Sequence, residues 1–116
     1  MENTESILTS IKKLLGIDAE YDHFDADVIM HINSVFSVLT QLGVGPKNGF
    51  SIEGASETWD QFINTDFNRF SMVRSFIYLK VKLLFDPPTS SAAIEAINRQ
   101  ISEFEWRLTV EADPVK

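Results

Sequence analysis

The sequence predicts an all-α domain: a small bundle of four main helices and one short helix, interrupted by a long glycine-rich loop. Three observations lead there. Four stretches place apolar residues at three- and four-residue spacing, the period of a helix with a buried side. The first, second and penultimate helical stretches end at residues that stop a helix: Gly16, Gly43 and the Asp86-Pro87-Pro88 run. Strand-like segments are few, and neither an internal repeat nor a low-complexity tract is present. With 116 residues the chain makes one domain, residues 1–116, and an apolar fraction of 44% with nine phenylalanines supplies a core rather than a disordered chain.

In the first helix Ile7, Leu8, Ile11, Leu14 and Leu15 share helical spacing, with Asn3 or Thr4 placed to cap the free amides before them. Lys12 and Lys13 fall near its C-terminal end, where the helix dipole favours cations. A short acidic linker follows. Asp22 is the expected N-cap of the second helix, with Asp25 in its first turn. Val28, Ile32, Val35, Leu39 and Leu42 line one stripe of that helix, which Phe24, Ile29 and Phe36 widen.

Residues 43–55 carry Gly43, Gly45, Pro46, Gly49 and Gly54 and read as a loop free to project, with a short extended piece at residues 50–52. Connections of this length usually have a functional use or are partly mobile. Gly43, Gly45, Pro46, Lys47, Gly49, Phe50 and Ile52 are its candidate docking residues. Ser56 is placed to cap a short helix containing Trp59, Phe62 and Ile63.

The next helix is expected over residues 68–85. Phe70, Val73, Ile77, Val81 and Leu84 form one apolar face; Met72, Phe76, Leu79 and Leu83 form a second on nearly the opposite side. A helix apolar on two faces is either central in its own domain or covered by a neighbour. The expectation is that a lone copy leaves part of this surface, including Met72 and Phe76, for a partner. Asp86, Pro87 and Pro88 then make a stiff corner. Ser90 or Ser91 caps the last helix, whose face is Ile94, Ile97, Ile101, Phe104 and Leu108. Residues 111–116 read as a flexible tail.

Ten Lys and Arg against seventeen Asp and Glu give a net charge of −7, which opposes tight non-specific binding to nucleic acid. It is compatible with a protein that surrounds DNA without gripping it. The absence of cysteine removes disulfides and thiolate metal sites. No run is long and apolar enough for a membrane span, and the acidic start is the reverse of a signal peptide's basic one, so a soluble protein made and used inside a cell is expected.

The dense carboxylate cluster, Asp18, Glu20, Asp22, Asp25 and Asp27, lacks the glycine and final glutamate of a calcium loop. Its plainest reading is helix capping with an exposed acidic rim; the sharper one is a contact surface for another subunit. His23 and His31 are eight residues apart and do not chelate as an i,i+4 pair would. The segment 43–49 lacks the Gly-Lys-Ser/Thr ending of a phosphate loop. No catalytic constellation, cofactor motif or metal set is apparent. Arg69, Arg74, Lys80 and Lys82 make residues 69–82 basic, either as snorkelling edges of a buried helix or as a flank that meets residues 18–27 of an adjacent copy together with Tyr78. Trp106 lies off its helix's apolar stripe and is either an interface anchor or packed near Trp59.

The phrases His31-Ile32-Asn33-Ser34-Val35-Phe36, Gln41-Leu42-Gly43-Val44-Gly45-Pro46 and Tyr78-Leu79-Lys80-Val81-Lys82-Leu83-Leu84-Phe85-Asp86-Pro87-Pro88-Thr89-Ser90-Ser91 resemble, in order and spacing, the small head-tail connector or adaptor proteins of tailed bacteriophages and related prophages. The ending Phe104-Glu105-Trp106-Arg107-Leu108 is similar too, so the resemblance covers residues 7–110, with 48–67 matching least. It implies a helical structural subunit without enzyme activity or cofactor. Copies would form a ring under the portal protein, around the channel through which double-stranded DNA passes without specific binding. The other side of the ring would receive a stopper or tail-completion protein. The implied location is the virion neck, with the host cytoplasm during assembly and no membrane contact. Two rivals are a monomeric or dimeric helical regulatory module, and a small enzyme using Asp22, Asp25 and Asp27.

Overall fold

In the computed structural model, which describes residues 4–112 and the side chains of 4–110, Ser6 opens the first helix. Its hydroxyl accepts from the Thr9 amide at 3.2 Å, displacing Thr4 from the capping role; Asn3 lies outside the described residues. The helices are α1 (Ile7–Leu15), α2 (Asp25–Gln41), α3 (Trp59–Phe62), α4 (Phe67–Phe85) and α5 (Ser91–Ala112). The all-α prediction therefore holds. Extended pairing among the described residues is limited to one bridge, Ser6 with Thr58, which ties the start of α1 to the start of α3.

Termini follow local chemistry. Gly16 takes the left-handed conformation (φ 82°) that closes α1. Asp66 caps α4 by accepting from the Arg69 amide at 2.9 Å, and Ser90 caps α5 by accepting from Ala93 at 3.3 Å. Thr58, not Ser56, begins α3, where its amide donates to Gln61 Oε1 at 3.1 Å. Asp22 does not cap α2: Phe24 stands at that position without a side-chain bond, for a reason given below. The last helix runs to Ala112, so residues 111 and 112 of the expected tail are helical; 113–116 lie outside the described residues.

α4 is the hub. It packs on α2 over most of its length, on α5, and less extensively on α1. Phe24 and His31 of the α2 start meet Phe85, so α2 and α4 run antiparallel; Met72 lies by Phe104 and Arg107, so α4 and α5 do too. This layering corrects the expectation about the doubly apolar helix for Phe76, which is core, while Met72 and Leu83 stay half-buried and Leu84 exposed. Phe70, Val73, Phe76, Ile77, Leu79 and Val81 are all buried within one chain, because α5 closes the face that α1 and α2 leave. Each large side chain buried this way contributes roughly 1.5–3 kcal/mol.

The loop after α2 lies against the body. Val44 and Ile52 belong to the core, and the Phe50 ring meets Phe36 at 5.3 Å and Phe62 at 5.4 Å. Asn33 on α2 pins the loop's extended piece: its side-chain N–H donates to the Ile52 carbonyl at 2.9 Å while its Oδ1 accepts from the Ile52 amide at 2.8 Å. Gly45, at φ 88°, allows close approach, since a Cβ there would stand 2.5 Å from the Phe62 ring. Glu57 grips the next bend, accepting from the Glu53 and Gly54 amides at 2.8 and 3.4 Å. Burial alone would raise its pKa, but these backbone N–H groups, with its own, outweigh that and hold it below the ordinary glutamate value.

Candidate docking surface

Lys12 organises the surface that the sequence reading assigned to carboxylates alone. Its residue is 2% exposed, and burying an ammonium is costly unless each N–H finds a partner. All three do. The Nζ donates to the carbonyls of Ala19 (3.1 Å) and Tyr21 (2.8 Å) and lies 2.7 Å from Asp25 Oδ1. That buried carboxylate oxygen accepts no hydrogen bond and is compensated by the ion pair. The linker therefore wraps around the Lys12 ammonium, and this is why α2 starts at Asp25: the wrap places Asp25 in the first turn, over Lys12, and leaves Asp22 outside it.

The wrap turns aromatic side chains outward. Tyr21 and Phe24 are exposed, with rings 5.8 Å apart; Phe24 meets Phe85 edge-on at 5.4 Å, and Phe85 meets His31 at 6.4 Å. Leu84 beside them is 54% exposed. Phe24, Leu84 and Phe85 wall a depression of about 600 Å³, with Asp27, His31 and Asp86 at its lip. Asp18, Glu20 and Asp22 are exposed on the adjoining linker, where Asp18 Oδ1 accepts from the Glu20 amide at 3.0 Å. The result is an apolar seat with an acidic rim. Sequence reasoning missed it by placing Phe24 and Leu84 on core stripes. Aromatic residues at 21, 23 and 24 interleaved with carboxylates were the available signal.

The other expected contact residues separate. Phe76 is fully buried and Met72 half-buried against α5, so Phe76 is core and not interface. Arg69 and Arg74 belong to the N-terminal part of α4, with the Arg74 guanidinium 5.2 Å from the Phe70 ring centre. Lys80 lies 5.5 Å from the centre of the Phe76 ring, and Tyr78 is half-buried. Lys82 sits at the opposite end, 3.6 Å from Asp86 and donating to its carbonyl at 3.2 Å. As the helical wheel already separates Arg74 and Lys82, which flank Tyr78, from Arg69 and Lys80, the four cations lie apart along and around the 19-residue helix.

In the loop, Pro46 and Lys47 are exposed, Gly43, Gly45 and Gly49 take positive φ, Phe50 is half-buried and Ile52 is buried, which removes Ile52 from the docking set. The corner has Asp86 and Pro87 exposed with Pro88 half-buried. Trp106 is 67% exposed and does not pack near Trp59, which is buried against Phe70. No group of three or more metal-ligating side chains converges among the described residues. Asp22, Asp25 and Asp27 do not form a shared site either, since Asp25 is taken by Lys12.

Exposed aromatics rimmed by charge are the kind of surface that binds another protein. The phage connector protein family matches residues 7–115, and the chain belongs to that family. It is a structural connector of the phage neck. No curated protein and no solved structure matches. Among the described residues no helix is long and apolar enough to cross a membrane.

Proposed function

We propose that copies of this chain form a ring beneath the portal protein of a tailed phage, extend its DNA channel and present a face to the next neck or tail-completion protein. Family membership supports this reading. So does the observation that carries it: two unlike exposed surfaces, the acidic aromatic seat and the Trp106 face of α5. A ring needs a patch that gives and a different patch that receives, related by a rotation that closes. The second apolar face of α4 does not carry this reading, because Phe76 and Leu79 there are buried under α5.

The mechanism is geometric. Bound copies lengthen the channel, and the net charge of −7 disfavours adhesion of the passing phosphates. Assembly takes place in the host cytoplasm before the neck is complete, and no reaction is catalysed. The burial of Phe76 and Leu79 under α5 also fits a monomeric or dimeric binding module. Cryo-electron microscopy of particles, or of the chain mixed with portal, separates the two: a ring coaxial with the portal is expected, and isolated copies or dimers would overturn it.

A further inference from the structure

Trp106 is the most exposed of the large apolar side chains described, and it stands on the side of α5 away from the buried Ile101 and Leu108. Val110, 40% exposed, follows one turn on, and Arg99 and Arg107 are exposed nearby. A solvated indole of this kind is an anchor lacking a pocket. The depression between Phe24, Leu84 and Phe85 is a pocket lacking an anchor. Their chemistries match: apolar walls receive the ring, and a carboxylate at the lip, Asp27 or Asp86, accepts the indole N–H. Phe67, also exposed, has no such proton to give. The acidic rim draws in the exposed Arg99, which has to outweigh Glu105 beside Trp106, while Arg107 is paired with Glu103, 3.1 Å away.

Anchor and seat do not meet within one chain. Met72 lines a hollow with Phe104 and Arg107, whereas Leu84 lines the seat, and the twelve helical steps between them span about 18 Å. We propose that the seat receives Trp106 of a second copy of this chain, head to tail. Each copy then gives one indole and receives another, and both surfaces are used up only when the ring closes. The pairing rests on the ring reading above and specifies which faces meet.

The chain has no cysteine, so introduced ones report cleanly. Asp27→Cys and Ser102→Cys variants, mixed and treated with a short bis-maleimide, are expected to cross-link to each other and not to themselves. A chain carrying both is expected to give a ladder of oligomers. Trp106→Ala, which removes no core contact, should weaken association by about thirtyfold or more and abolish the ladder. Reversing charge with Asp27→Lys and Asp86→Lys should weaken it, and mixing with Arg99→Glu/Arg107→Glu chains should recover the Lys-seat to Glu-anchor contact. The measurements are made on concentrated free chain and on neck assemblies. A ring in the assemblies without the mixed cross-link, or Asp27→Cys linking to itself, overturns the pairing and leaves the ring. No ring in the assemblies overturns both.

Discussion

α2 and α5 both lie along α4, yet they are held very differently. α2 buries Val28, Ile32, Val35, Phe36 and Leu39, and meets α1 and the loop as well as α4. The longer α5 buries only Ile101 and Leu108 among its described side chains and packs chiefly on α4. The difference is one of neighbours. α2 is gripped from several directions and forms the fixed body; α5 completes the core with a narrow stripe and leaves most of its circumference, Trp106 included, for contacts outside the chain.

Phe76→Ala strikes at this contrast most strongly, since Phe76 is fully buried on the face that α5 closes. It should cost about 3–5 kcal/mol in chemical denaturation. Amides of α5 should lose hydrogen-exchange protection before those of α2. Equal loss in the two helices would show that α5 is integral to one cooperative unit and break the comparison.

Next is Lys12→Met. It leaves the Ala19 and Tyr21 carbonyls without their donor and the buried Asp25 oxygen without its ion pair. The expected cost is about 1–3 kcal/mol, toward the lower end because the Asp25 side chain keeps 29% exposure. Nuclear magnetic resonance should show Tyr21 and Phe24 losing their fixed positions while α5 is unchanged. Unaltered Tyr21 and Phe24 signals would mean that the linker's shape does not depend on the ammonium.

The smallest effect is acid loosening of the bend at Glu57. Its pKa is depressed in the folded chain, so the stabilisation is present above the unfolded glutamate value and lost as pH falls through the lower folded one. Glu53 and Gly54 amides should exchange faster in that acidic window, with α2 amides unaffected, and Glu57→Gln should flatten the response. A response unchanged in Glu57→Gln would assign it to another group.

The helices were readable because their signals are local: periodic apolar residues, Gly16, the Ser90 cap, and two prolines after Asp86. The family was readable from phrases spread along the chain, and the model match agrees. The seat was not. Phe24 and Leu84 fit a core stripe by spacing, and only the direction of the linker and the end of α4 expose them. Lys12 was read as a dipole partner, since nothing in adjacent residues announces a contact with carbonyls seven and nine positions away.

By itself the sequence determined that this chain is helical, where most of its helices stop, its acidity, and its membership of a connector family. Tertiary structure alone decided that α5 covers Phe76 and Leu79 on the second face of α4, that Leu84 at the end of the first face stays exposed, and that Trp106 remains in solvent. The reason is range. Helix formation is settled within a few turns of chain, but whether a greasy or charged side chain is covered depends on segments far away in sequence that fold back beside it.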